Sequence, residues 1–68
     1  MRSILINNAS HFLSESEIDS ILIDLSNVST WIGSTPSIEI IGGGVNRTTA
    51  SNTAVSTLAS KGVTVTVN

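Results

Sequence analysis

Ser37–Asn68, SIEIIGGGVNRTTASNTAVSTLASKGVTVTVN, is the stretch whose reading decides the fold. Ile38 and Ile40 alternate with Glu39, the two-residue period of a strand that buries one face. The run Gly42-Gly43-Gly44 follows, and glycines there permit positive φ and a tight turn out of the strand. Thr48 or Thr49 then offers a side-chain oxygen to cap a helix. The inner face of that helix reads as Ala50, Ala54 and Leu58, with Val55 and Ala59 beside it. Small residues on this face let the helix lie close to a sheet. Lys61-Gly62 places a cation and a C′ glycine at its end. Val63, Val65 and Val67 then alternate with Thr64 and Thr66 in a closing strand that runs to Asn68.

Upstream, the chain repeats the idea. Ile4-Leu5-Ile6, ended by Asn7-Asn8, reads as a short buried strand at the edge of a sheet. Ser14 with Glu17 three residues later forms a capping box, and Leu13 with Ile18 a hydrophobic staple. The helix that follows, Ser14–Asn27, carries Ile18, Ile21, Leu22 and Leu25 on one stripe. Asp19, Ser20, Asp24 and Ser26 are read as its water-facing side, and Ile23 falls off the stripe.

The strand pattern fixes the layers. A sheet covered on both faces has strands that are apolar on both sides, whereas Glu39, Thr64 and Thr66 leave one face to water or to a partner. Both helices therefore belong on the same side. Right-handed crossovers put them there only if the strands are laid down in the order 1-2-3. The expectation is a single α/β domain over residues 1–68: β-α-β-α-β, three parallel strands, both helices on one face.

Composition narrows the function. A chain of 68 residues has a core worth only a few kcal/mol net, and small domains usually add disulfides, a structural metal or association. With no cysteine and one histidine, His11, disulfides and a Cys/His zinc site are excluded. Association with copies of itself or with a partner remains. Three cations, Arg2, Arg47 and Lys61, and two aromatics, Phe12 and Trp31, supply neither a phosphate-neutralising patch nor a stacking platform, so no nucleic-acid partner is expected. Three apolar residues after Arg2 are too few for a signal peptide or a membrane span.

The glycine run does not read as a phosphate loop. Its spacing is not G-x-G-x-x-G, and no Lys-Ser/Thr pair follows it. His11 has no carboxylate at a diagnostic spacing and the hydroxyls have no evident base, so the chain is read as non-enzymatic, with no cofactor and no small-molecule substrate. Partner contacts are expected at Glu39, Thr64 and Thr66 on the open face. Trp31 and Ile32, in the long connection before Pro36, either plug the end of the core or anchor a neighbouring chain.

LSESEIDSILIDL (Leu13–Leu25), IEIIGGGVN (Ile38–Asn46) and LASKGVTVTVN (Leu58–Asn68) together resemble a leucine-rich-repeat-like segment found in phage and bacterial proteins, often in or near tail-fibre and other virion components. There a helix of the form L-T/S-x-x-E/A-V/I-D-x-I-L-x-x-L leads to a strand ending in G-G-x-N, a second helix and a closing K-G-W/V-x-V-x-x-N. The likeness covers most of the chain. It departs at Ser10-His11-Phe12, which separates Asn8 from the first helix, and at Thr49, near where the family places a proline. The resemblance implies parallel strands with helices on one face. It also implies a virion structural or assembly protein, made in the host cytoplasm and bound to a larger coat, tail or fibre protein or to copies of itself. A carbohydrate- or cell-surface-binding module using the open sheet face is the alternative.

Overall fold

The computed structural model describes residues 3–33 and 35–67, and of His11 the backbone only. Asn68, read as the end of the last strand, and the His11 side chain lie outside the described residues. Along the chain come β1 (Ile4–Asn7), a one-turn helix α1 (Asn8–His11), α2 (Glu15–Ser26) and β2 (Ser37–Ile41). A 3-10 turn (Thr49–Ser51) then runs into α3 (Asn52–Ser60), and β3 (Thr64–Val67) follows.

The three strands are parallel and lie in the order β1-β2-β3. Their register aligns Ile4, Ile38 and Val65 in one row and Ile6, Ile40 and Val67 in another. Both rows face the core. That core consists of Ile18 and Leu22 from α2, Ala54 and Leu58 from α3, Ile38 and Ile40 from β2, and Val63. Because both helices bury side chains against the same face of β2, they occupy one side of the sheet, as the alternation of Glu39, Thr64 and Thr66 implies. The edge-strand residues Ile4, Ile6, Val65 and Val67 are only half-buried, since each has a neighbouring strand on one side alone.

The start of α2 forms as its sequence dictates. Ser14 Oγ accepts the Glu17 N–H at 3.3 Å, and Glu17 Oε1 accepts the Ser14 N–H at 2.8 Å, which satisfies two donors that the helix leaves free. These bonds, from the Ser14 N–H first and its hydroxyl second, hold the Glu17 carboxyl below its ordinary value.

Three readings of side-chain placement need correction. Asp19 does not face water: it is 6% exposed, and its carboxylate accepts the Thr48 N–H at 2.9 Å and the Thr48 hydroxyl at 2.5 Å. The first turn of the α3 segment has free N–H groups and the positive end of a dipole, and Asp19 meets it from the flank of α2. Ala50 is exposed, and Ser51 is buried in its place. Strict four-residue steps back from Leu58 drift about 40° each on a helix of 3.6 residues per turn, so Ala50 ends about 80° off the stripe while Ser51, seven residues back, lies within about 20° of it. Ala59 is likewise exposed, leaving Ala54 and Leu58 as the buried pair.

Thr48, not Thr49, is the capping residue, its side chain accepting the Ala50 N–H. Gly62 takes φ +82° just after the helix, as a C′ glycine should. Lys61, however, serves the other helix: its Nζ donates to the carbonyls of Ser26 at 2.6 Å and Val28 at 2.9 Å, at the C-terminal end of α2. A cation there complements the negative end of that helix dipole.

The Ser10-His11-Phe12 segment is accommodated by α1. Asn8 is 1% exposed and closes this turn, its Oδ1 accepting the Leu13 N–H at 2.6 Å and its Nδ2 donating to the Leu13 carbonyl. Phe12 leaves α1 at φ 55°, ψ 39°, a left-handed conformation that costs an L-residue about 1–2 kcal/mol. Its ring is 85% exposed and recovers little of that. Phe12→Gly is therefore expected to raise stability by about 1 kcal/mol in urea unfolding.

Gly42, Gly43 and Gly44 all have positive φ, as the turn reading requires. Gly42 is also sterically constrained, because a Cβ there would meet Asn7 Oδ1 at 3.0 Å and the Ala9 backbone nitrogen at 3.1 Å. Gly42→Ala is expected to cost about 1–3 kcal/mol, measurable as a lower denaturation midpoint.

Candidate functional site

The face of the sheet away from the helices is built by alternation. With Ile38 and Ile40 turned inward, Ser37, Glu39 and Ile41 of β2 turn outward, as do Leu5 and Asn7 of β1 and Thr64 and Thr66 of β3. The parallel register then sets Leu5, Glu39 and Thr66 side by side in one row, with Asn7 beside Ile41 and Ser37 beside Thr64. Glu39 is the middle residue of the middle strand. The structure thus brings together three of the five expected contact residues, Glu39, Thr64 and Thr66.

Trp31 and Ile32 do not join them. Trp31 is half-buried and packs against the core cluster on the helix side, which favours the plug over the anchor. Its Nε1 is buried and finds no acceptor among the described residues. Ile32, beside it, is 54% exposed and is no part of the core.

Two residues of the open face escaped the sequence reading. Leu5 is 65% exposed and Ile41 39% exposed, each next to the Glu39 strand position. The signal was present: if Ile4 and Ile6 point to the core of a sheet covered on one side, Leu5 between them must point out. The run Ile4-Leu5-Ile6 disguised this by being apolar at every position. The face therefore combines aliphatic, hydroxyl and carboxylate groups, without an aromatic among the described residues.

The charges around it are unequally employed. Glu39 has no hydrogen-bond or ion-pair partner among the described residues. Both described cations are engaged elsewhere: Lys61 with the Ser26 and Val28 carbonyls, and Arg47 Nη1 with the Thr48 carbonyl at 3.2 Å and Asn52 Oδ1 at 2.6 Å. Asp19 is held below its ordinary carboxyl value by the hydroxyls of Ser51 and Thr48, with the Thr48 N–H and the Arg47 guanidinium adding to the effect against the opposing cost of burial. The carboxylate–hydroxyl pair Asp19–Thr48 thus ties α2 to the start of α3.

Elsewhere, Asn8, Ala9, Phe12, Leu13, Gly43 and Val45 line an apolar groove of about 390 Å³ near the ends of β1 and β2. Among the described residues no cluster of His, Cys, Asp and Glu could hold a metal ion, and no helix is long and apolar enough to cross a membrane. No family model, curated protein or solved structure matches the chain.

Proposed function

We propose that this chain is a non-enzymatic structural or assembly protein of a phage virion, a small accessory component bound to a larger coat, tail or fibre protein. One observation carries the reading: among the described residues, a three-stranded parallel sheet whose two outer strands each lack a neighbour on one side and whose outer face has no covering layer. Unpaired strand edges template further pairing, and neither β1 nor β3 carries a charge, a proline or a bulge to discourage it. A partner strand added at an edge gains backbone hydrogen bonds, and a surface laid on the open face covers Leu5 and Ile41. The virion setting comes from the resemblance of Leu13–Leu25, Ile38–Asn46 and Leu58–Asn68 to segments of such proteins.

A carbohydrate module would be better served by aromatic platforms, and the open face offers Leu5, Ile41 and hydroxyls instead. That composition supports a protein partner. Density-gradient purification of virions, followed by detection of this chain by mass spectrometry, tests the proposal. Stoichiometric recovery in the particle band is the expected result. Recovery only in the unassembled fraction, together with selective binding to a glycan array, would move the function to carbohydrate recognition.

A further inference from the structure

We infer that the open face accepts a different chain, one presenting a lysine or arginine among aliphatic side chains, and that Glu39 both recruits this partner and prevents the face from pairing with a second copy of itself. The inference rests on the assembly role proposed above and specifies the partner's chemistry.

Glu39 lies at the centre of the face, in the row Leu5–Glu39–Thr66, with Ile41 two residues along the same strand. Any flat surface that covers Leu5 and Ile41 must also cover Glu39. A covered carboxylate without a counter-charge is strongly unfavourable, whereas one opposite a cation gains a charge-assisted hydrogen bond. The chain does not supply that cation from its described residues, because Arg47 is bound to the Thr48 carbonyl and Asn52, and Lys61 to the Ser26 and Val28 carbonyls.

A second copy fails for the same reason, and its symmetry makes the failure worse. Two copies packed face to face about a twofold axis, with the sheets centred on one another, bring Glu39 against Glu39. Stacked sheets lie about 10 Å apart, so the two carboxylates share one dry space with no cation from the described residues between them. A partner with a basic residue at the facing position reverses the sign of that central contact. The apolar parts, Leu5 at 65% and Ile41 at 39% exposure, are left as the surface it would bury. Charge at the centre therefore selects the partner, and the aliphatic groups around it supply contact area.

The chain itself serves as the probe. Glu39→Lys creates a copy whose face carries the complementary charge at the position where two faces meet. Wild-type and Glu39→Lys proteins are each expected to be monomeric by light scattering, and an equimolar mixture is expected to form a 1:1 heterodimer that dissociates as salt is raised. A sheet three strands wide falls at the weak end of interface sizes, so the mixture is read at the highest soluble concentration. A mixture that stays monomeric, or a wild-type chain that dimerises through this face alone, overturns the inference.

Should the lysine variant not fold, Glu39→Leu replaces it. This variant removes the repulsion and is expected to self-associate through the open face; a monomer overturns the inference. Recovery of the wild-type chain in virions reports separately on the assembly role. A monomeric mixture with the chain still present in particles would shift the contact to the strand edges, whereas loss of the chain from particles would remove the role itself.

Discussion

Leu22→Asp is expected to abolish folding. Leu22 is 0% exposed, and it lies at the centre of the α2 stripe between Ile18 and the residues of β2 and α3 that complete the core. Truncating a buried leucine to alanine costs about 2–5 kcal/mol. An aspartate adds an unpaired charge in the same space, and a domain of this size rarely has more than about 3–5 kcal/mol to lose. Leu58→Asp, equally buried on α3, is expected to behave the same way. The control is Leu22→Met, which keeps volume and polarity and should cost less than about 1.5 kcal/mol. Far-UV circular dichroism and the dispersion of amide proton shifts distinguish the outcomes. A folded Leu22→Asp protein would show that the helix faces described above are wrong.

Asp19 provides the second large effect, and its signature is in acid. Replacing it by alanine leaves the Thr48 N–H and hydroxyl without their acceptor in a part-buried setting and removes the polar tie between α2 and the start of α3. The loss is expected to exceed that of Glu17→Ala, whose carboxylate acts at an exposed helix start. Asp19→Asn should fall between wild type and Asp19→Ala, since the amide oxygen can still accept one of the two bonds.

The pH dependence follows from the direction of the shift. Hydrogen bonds from Ser51 and Thr48 depress the folded-state pKa of Asp19 below its ordinary value near 3.8, so the folded chain binds that proton more weakly than the unfolded chain. Its stabilisation is present in full above the ordinary value and is lost as pH falls through the folded value. Glu17 acts with the same sign from its ordinary value of 4.5. Thermal melts recorded downward from pH 6 should show a falling midpoint below about pH 4.5, and that slope should be shallower in Asp19→Asn. A slope unchanged by Asp19→Asn would assign the acid sensitivity to other groups.

Much of the architecture was legible because each deciding signal is local. Ser14 and Glu17 announce a helix start, and their reciprocal bonds form as expected. The alternation Val63-Thr64-Val65-Thr66-Val67 gives both the strand and the sided sheet, and from the sidedness come the helix placement and the strand order. What escaped was set by contacts between segments distant in sequence. On a helical wheel Asp19 is polar and next to Ser20, and nothing local reveals that Thr48, 29 residues later, will bring free N–H groups to it. Ser51 lies seven residues before Leu58, on its stripe, but a serine reads as surface until Arg47 and the Thr48 carbonyl give its hydroxyl partners in the interior. Lys61 was rightly placed at a helix end, but the carbonyls it meets belong to the helix before.

The contact residues divide in the same way. Glu39, Thr64 and Thr66 follow from strand period alone and share the face they were assigned to, whereas Leu5 required knowing that one side of β1 would stay uncovered. Trp31 and Ile32 are adjacent in sequence, and their separation into a half-buried plug and an exposed side chain depends on how the connection before Pro36 meets the core.

The chain has no cysteine, so a single Thr66→Cys substitution reports cleanly on the open face. The direct measurement is the rate of maleimide labelling at that position, in the isolated protein and in purified virions. In isolation the rate should be near that of a free thiol, because no described residue covers this side of the sheet, and in the particle the position should be strongly protected. Slow labelling of the isolated protein, or equal rates in the two states, would contradict it.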